Sequence, residues 1–188
     1  MGELPQGAKR VFEGVIFDVH QWDQKMYDGT TEVFERISRG DTVEAIVVTK
    51  EGKLLIQRQQ QPDREEWFLS SVGGRVDEGE DPFDAMKREL KEETGYTSDD
   101  VELISTYRPS SKLMWDIYTY VARGCVKTHK QDLDAGEKID VMEVDLDEFI
   151  ELIDSGKLER FASPVREMCI RAKYHEPSKE KLRKQIFG

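Results

Sequence analysis

The hydrophobic pattern changes period along the chain, and the changes divide it. From Val11 to Arg36 apolar and polar residues alternate in two runs, VFEGVIFDVHQW and TEVFERI, the period-2 signature of strands with one covered face. The Asp28-Gly29 pair between them is a turn signal, so this segment predicts an antiparallel hairpin or small sheet. Arg39-Gly40-Asp41 breaks the alternation. As an adhesion tripeptide it carries little weight, and it reads as the turn into the next strand. Residues 42–48 (TVEAIVV) and 54–58 (LLIQR) are apolar runs of the buried-strand type, joined by a turn at 50–53. Residues 59–66 then read as a polar loop around Pro62, and 67–72 as a short strand. Gly73-Gly74 follows, where a backbone can approach closer than a Cβ would permit.

The period then lengthens. Asp81 is placed to cap a helix with Pro82 at its first position and Asp84 in its first turn, and Gly95 is placed to stop it. Phe83, Met86 and Leu90 form its apolar stripe. Beyond it, 101–107 and 117–123 read as strands, 127–138 as a charged loop, and 140–144 as a further strand. Two helices are predicted at 146–155, ending at Gly156, and at 164–174. The tail is charged and reads as frayed or as a last weak helix. The division expected is a β-segment over 1–38, one α/β domain over 39–176 and a charged tail over 177–188.

Composition narrows the functional classes. The formal charge of −11 comes without a basic stripe, which argues against a nucleic-acid partner. It leaves room for a small phosphorylated ligand, because a bound metal can invert the local field. No apolar run approaches the ~20 residues of a membrane helix, so no membrane partner is expected. The opening MGELPQGAKR has neither an apolar leader core nor the Ser or Thr that would support myristoylation of its Met-Gly start. Cys125 and Cys169 are the only cysteines and lack CxxC spacing. They read as free thiols in a reducing compartment, and a cytoplasmic location is expected. His20, His129 and His175 are scattered and suggest no zinc cluster.

The feature that asks for chemistry is the helix at 82–94. Glu89, Glu92 and Glu93 fall on one narrow face at i, i+3 and i+4. Three like charges there repel one another, and a hard divalent cation would relieve them. A solvated acidic face is the plainer alternative.

A resemblance carried by the surrounding residues favours the first. Residues 74–96, GRVDEGEDPFDAMKRELKEETGY, set Gly74, Glu80, Arg88, Glu89, Leu90, Glu92, Glu93 and Gly95 in the order of the Nudix box. The stretch resembles that signature, with Tyr96 where a small aliphatic residue is more usual. The resemblance implies a Nudix hydrolase domain over 39–176, an α/β/α sandwich with a mixed sheet. It implies Mg2+ as cofactor, with Mn2+ as a substitute, held by Glu89, Glu92, Glu93 and the carbonyl of Gly73. Arg88 would hold one of the carboxylates, and Glu80 would brace the loop. Two or more ions are compatible with so many oxygens.

Three outer segments resemble the branch that cleaves ADP-ribose or nucleotide sugars into a nucleoside monophosphate and a sugar phosphate. They are the leading β-segment into VFERISRG, the Tyr107-Arg108-Pro109-Ser110 loop, and DAGEKIDVMEVDLDEFIELIDSGKL. In that likeness Glu137 takes the place of an acid that binds metal or activates water, with Asp132 and Asp134 as substitutes. The catalytic set expected is therefore Glu92, Glu93 and Glu137. Two departures are visible: Ser70 stands where a glutamate is usual, and PSSKLMWD replaces a Pro-Gly loop. Arg58 and Arg75 are candidate phosphate ligands, each with a surface ion pair as the alternative. Trp22 is a candidate to stack on a base, from one subunit of a homodimer into its partner, with core packing as the alternative. Trp67 and Trp115 read as core or loop anchors. A triphosphate or dinucleoside polyphosphate hydrolase and a non-catalytic nucleotide sensor are the rival readings.

Overall fold

The structure is a computed structural model that describes residues 4–188, so the Met-Gly start lies outside the described residues. In chain order the strands and helices are β1 (Lys9–Glu13), β2 (Asp18–Lys25), β3 (Thr31–Ser38), β4 (Thr42–Thr49), β5 (Leu54–Gln61), β6 (Arg64–Ser70), α1 (Pro82–Thr94), β7 (Tyr96–Thr97) and β8 (Asp100–Tyr107). They continue as β9 (Leu113–Met114), β10 (Ile117–Lys127), β11 (Lys138–Val144), α2 (Leu146–Asp154), β12 (Leu158–Arg160), α3 (Ser163–Tyr174) and α4 (Glu176–Phe187).

Strand β4 is the centre of the larger sheet. It runs parallel to β10 from Thr42 opposite Ile117, and antiparallel to β5 only at Val47–Leu55 and Val48–Leu54. Past that point β5 pairs with β6 instead, while its other edge carries β11 along its length. The sheet therefore splays beside Ile56. The gap on β4 is filled by the chain at Val72 and Gly74, through Ala45 N–H to Val72 O (2.9 Å) and Val43 N–H to Gly74 O (2.9 Å).

The buried run of β4 is explained by cover on both faces. Val43, Ala45 and Val47 pack in a cluster with Ala85, Met86 and Leu90 of α1. Ile46 and Val48, facing the other way, pack with Phe149, Val165, Leu182 and Ile186 of α2, α3 and α4. This is the layered α/β/α arrangement expected, with the mixed sheet between helices.

The N-terminal segment forms the small sheet expected, with one more break than its pattern suggests, and three local expectations are corrected. The alternating run from Val11 is broken at Gly14, where Gly14 N–H donates to Phe17 O (3.0 Å), so it makes two strands, β1 and β2. With β3 and β9 these form a separate four-stranded sheet. Residues 59–66 are not a loop, because β5 and β6 continue as a hairpin turning at Pro62-Asp63. Part of the polar look of that stretch is Gln59, which is buried with Ser70 as its hydrogen-bond partner rather than solvated. Trp67 is no core anchor: it is 44% exposed, with the Arg58 guanidinium 4.7 Å over its ring. Phe83, likewise, is 39% exposed, and Ala85 joins Met86 and Leu90 as the packed face of α1.

The charged tail is helix α4, whose Leu182 and Ile186 are buried in the main core. Replacing Ile186 by Ala is expected to lower the unfolding free energy by about 2–4 kcal/mol, the usual range for truncating a buried aliphatic side chain. Urea denaturation measures it, and an unchanged midpoint would mean that the tail is not docked.

Candidate active site

Helix α1 is set in place at both ends. Asp81 accepts from Phe83 N–H (2.8 Å), and Gly95 closes the helix with φ 76°. A Cβ at Gly95 would lie 2.3 Å from His129 O, so glycine is also needed to bring the 127–138 loop against the helix end. That loop then satisfies the helix's own carbonyls. Asp132 N–H donates to Glu92 O (2.9 Å), and Gln131 Nε2 donates to Glu93 O (2.6 Å) and Ile139 O (3.1 Å). The acids of this loop are thereby indexed to the acids of the helix.

Arg88 is the cation that lets the carboxylates share a face. Its Nη1 donates to Glu89 (2.8 Å) and Glu92 (3.1 Å), and its Nε to Glu80 (2.9 Å). Nη2 reaches Glu80 (3.0 Å) and the carbonyl of Arg75 (3.0 Å). One guanidinium thus holds three carboxylates where the sequence suggested one, and the hydrogen bonds it donates to Glu80, first of all, raise its pKa further. Glu80 braces the loop as expected, also accepting from Asp77 N–H (3.0 Å), and Arg88 holds its carboxyl below the usual range.

Glu93 lies deeper, only 4% exposed. Its Oε2 accepts from Gly73 N–H and from Gln57 Nε2, both at 2.8 Å. Burial outweighs these bonds and, with the charges of Glu89 and Glu137, pushes its pKa up to about 8. Burial also pushes Glu89 up, against the pull of Arg88, and the charges of Glu92 and Glu137 add to the rise. Gly74 is required here, because a Cβ would sit 2.2 Å from Glu89 Oε1. At Gly73 the φ of 150° and a Cβ contact of 2.1 Å to Val43 O exclude any other residue.

Glu89, Glu92 and Glu93 line one cleft of about 1070 Å3 together with Asp132, Asp134 and Glu137. Among the described residues no three acids, histidines or cysteines are drawn into a finished coordination sphere. The donor set still fits a hard divalent cation. It is all oxygen, it is crowded enough to disfavour ionisation, and the glycine pair keeps the backbone within reach of the carboxylates.

The remaining candidates separate. Arg75 lines the cleft. Arg58 does not reach it: alternation along β5 sends it to the face opposite Gln57, where it pairs with Asp140 (2.5 Å). Trp22 is packed against Phe34 (6.1 Å between rings) and Arg36, with Nε1 donating to Gln24 (3.0 Å), outside the cleft of its own chain. Trp115 is a loop anchor, donating to Thr42 Oγ1 (3.0 Å). Two residues escaped notice. Gln57 is completely buried and tied to Glu93, and its one signal is a polar residue inside an apolar run. Arg39 borders the cleft from the pattern break before β4, a position that marks only a turn. Ser70, the departure noted above, donates to Gln57 Oε1 (3.3 Å) and accepts from Gln59, so it belongs to the buried support of Glu93.

The model of the NUDIX domain matches residues 38–165. The chain belongs to the Nudix family. An ADP-ribose pyrophosphatase of Bacillus subtilis (strain 168) is 29% identical over 152 residues, 80% of this chain and 82% of that one. A methanol dehydrogenase activator of Bacillus methanolicus is 28% identical over 153 residues, 80% and 83% of the two chains. The Nudix fold itself is matched by the crystal structure of an ADP compounds hydrolase, with a TM-score of 0.71, 19% identity, and 96% and 98% of the two chains covered. The layered sheet, the box helix and the acidic cleft are therefore those of a Nudix pyrophosphatase, a hydrolase.

A buried acid with a raised folded pKa binds its proton more tightly than the unfolded chain does. Stability must then fall as pH rises from the unfolded value of 4.5 toward the folded value of about 8. The metal-free protein is expected to lose Tm across that window, and Glu93→Gln is expected to flatten the loss. Added Mg2+ should restore Tm at the alkaline end by mass action. Thermal scans from pH 5 to 8, with and without Mg2+, check all three.

Proposed function

We propose that the protein hydrolyses the pyrophosphate link of ADP-ribose or a closely related nucleotide sugar, releasing a nucleoside monophosphate and a sugar phosphate. The observation that carries this reading is the convergence of the box carboxylates with Glu137 on one cleft that also presents Arg75. The similarity to an ADP-ribose pyrophosphatase over four-fifths of both chains supports the substrate class.

In this reading Glu89, Glu92 and Glu93, with the Gly73 carbonyl, hold Mg2+, and Mn2+ can replace it. When bound there, the ion would supply charge to neutralise the diphosphate, polarise phosphorus and lower the pKa of water. Glu137, on the loop tied to the end of α1, stands across the cleft from the helix to orient the attacking water and accept its proton. Arg88 takes no proton; it keeps Glu89 and Glu92 in register. Arg75 positions the phosphates. A buried pair of free thiols, Cys125 and Cys169, fits a reducing cytoplasm.

We also infer a homodimer formed through the N-terminal sheet. Val11, Phe12, Val33 and Ile37 on its strands are exposed apolar side chains, and burial between copies would stabilise them. Trp22 would then serve the partner's cleft. A monomeric mass by light scattering at micromolar concentration would reject the dimer.

Replacing Glu93 by Gln is expected to lower turnover by about 10³-fold with the fold intact, since each tenfold is about 1.36 kcal/mol and metal-borne charge stabilisation is several kcal/mol. Products from a panel of ADP-ribose, nucleotide sugars and nucleoside triphosphates identify the substrate. Nucleoside monophosphate and sugar phosphate are expected; turnover of triphosphates alone, with release of inorganic pyrophosphate, would overturn the assignment.

A further inference from the structure

Three positions on the paired strands β5 and β6 are polar where their burial would suit an apolar side chain. Gln57, Ser70 and Gln59 are 0%, 1% and 6% exposed. Gln57 and Gln59 share one face of β5 by alternation, and Ser70 is the register partner of Gln57. A buried amide or hydroxyl is costly unless its hydrogen bonds are made. Here they are made to one another and to Glu93. Gln57 Nε2 donates to Glu93 Oε2 (2.8 Å), Ser70 Oγ donates to Gln57 Oε1 (3.3 Å), and Gln59 Nε2 donates to Ser70 Oγ. Gln61 Nε2 ends the series with a long bond, 3.4 Å, to Gln59 Oε1. Among the described residues no buried side-chain nitrogen or oxygen is left without a partner.

The polarity of this series is fixed at one end. An ionised carboxylate only accepts, so Gln57 must turn its amide nitrogen to Glu93 and its carbonyl to Ser70. The single hydroxyl proton of Ser70 then goes to Gln57, and its lone pairs are left for Gln59. An ionised glutamate at position 70 could not supply that proton, so the departure at Ser70 is what lets the series run. Donors lined up in one direction polarise one another. Their effect falls on one atom. Gly73 N–H (2.8 Å) and Gln57 both donate to Glu93 Oε2, and among the described residues Oε1 accepts no hydrogen bond. Glu93 lines the acidic cleft beside Glu89 and Glu92.

We propose that Gln57 and Ser70, with Gln59 holding Ser70, are positioning residues: a one-way hydrogen-bond relay that pins Glu93 by Oε2 and reserves Oε1 for a divalent cation. They touch neither the ion nor the substrate. Their part is to fix the orientation of a ligand before the ion arrives, as the outer partners of metal ligands do. Ser70 acts through Gln57, because holding the amide carbonyl keeps the amide nitrogen on Glu93. The inference rests on the reading of Glu93 as a cation ligand and needs no particular substrate.

The test titrates the substrate-free protein with Mn2+ alone, reading the free ion by electron paramagnetic resonance, with urea midpoints to show that each variant folds. Gln57→Leu is expected to weaken Mn2+ binding about 10- to 100-fold, as for the loss of a metal ligand's outer partner. Ser70→Ala leaves Gln57 in place and should weaken binding about 2- to 10-fold, as for one neutral hydrogen bond. Ser71→Ala is the control. Ser71 is also buried but donates to Arg160 O (3.1 Å), outside the relay, so its loss is expected to leave Mn2+ affinity unchanged. Wild-type affinity in Gln57→Leu and Ser70→Ala would overturn the proposal. An equal loss in Ser71→Ala would also overturn it, by tracing the effect to packing. Should Gln57→Leu not fold, Ser70→Ala against Ser71→Ala decides. Glu93→Gln separates the relay from the reading beneath it. If that variant binds Mn2+ like the wild type, the cation reading falls and the relay with it; if it alone loses Mn2+, the reading stands and the relay falls.

Discussion

Everything in the catalytic half of this protein depends on keeping several carboxylates close together and partly dehydrated. Isolated burial of one such charge is costly, and several together are mutually repulsive. The chain answers in two ways. Where the acids are still partly exposed, Arg88 spreads one delocalised cation over Glu80, Glu89 and Glu92. Where the acid is buried, at Glu93, no cation among the described residues pairs with it, and among them the Gly73 N–H and the Gln57 amide alone meet its carboxylate. That asymmetry marks Glu93 as the place where positive charge is missing. It is also why the helix face is not a surface decoration: a solvated acidic stripe would need neither Arg88 nor the amide.

The sheet is shaped around the same problem. If β4 and β5 paired along their full lengths, nothing could reach Glu93 from below. Their pairing stops after Val47–Leu55, and the splay admits Gly73 and Gly74 beside β4 while turning Gln57 toward the helix. The two glycines have different reasons to be glycine. Gly73 avoids the β4 backbone in a conformation that other residues rarely adopt, and Gly74 makes room for the Glu89 carboxylate. Neighbouring strands whose buried polar groups satisfy one another, Gln59 through Ser70 to Gln57, keep this opening from collapsing.

What the sequence shows and what it hides follow from range. The box helix is legible because its capping residues, stop and carboxylate spacing are all local, set by 3.6 residues per turn. The buried strands are legible because being covered on both faces leaves an unbroken apolar run. The β5–β6 hairpin is hidden because Gln59 looks solvated until its partner, Ser70 of β6, is in place. The docking of α4 was equally hidden, since two buried residues, Leu182 and Ile186, in an otherwise charged segment give a weak period. Arg58 was drawn toward the site by residue type alone, and the alternation of β5 sends it the other way. Glu137 is marked by family resemblance rather than by any local pattern, and Arg39 has no local signal beyond that of a turn.

That contrast separates reaction from recognition. The groups suited to the chemistry are concentrated in one helix and one glycine pair, where a short spacing can encode them. Arg39, which borders the cleft, and the rings of Phe17 and Trp115 that flank it come from three separate connections, none of which announces the meeting when taken alone. Their meeting is a property of topology: β3 ends beside the start of β4, and β9 pairs with β3 just before β10 begins. Net charge sharpens the point. A chain of −11 repels anions at long range, so an anionic ligand must be held by cations concentrated where it binds. Arg88 is already committed to three carboxylates, and Arg58 to Asp140. Among the described residues, the guanidiniums that border the cleft and form no ion pair are those of Arg39 and Arg75.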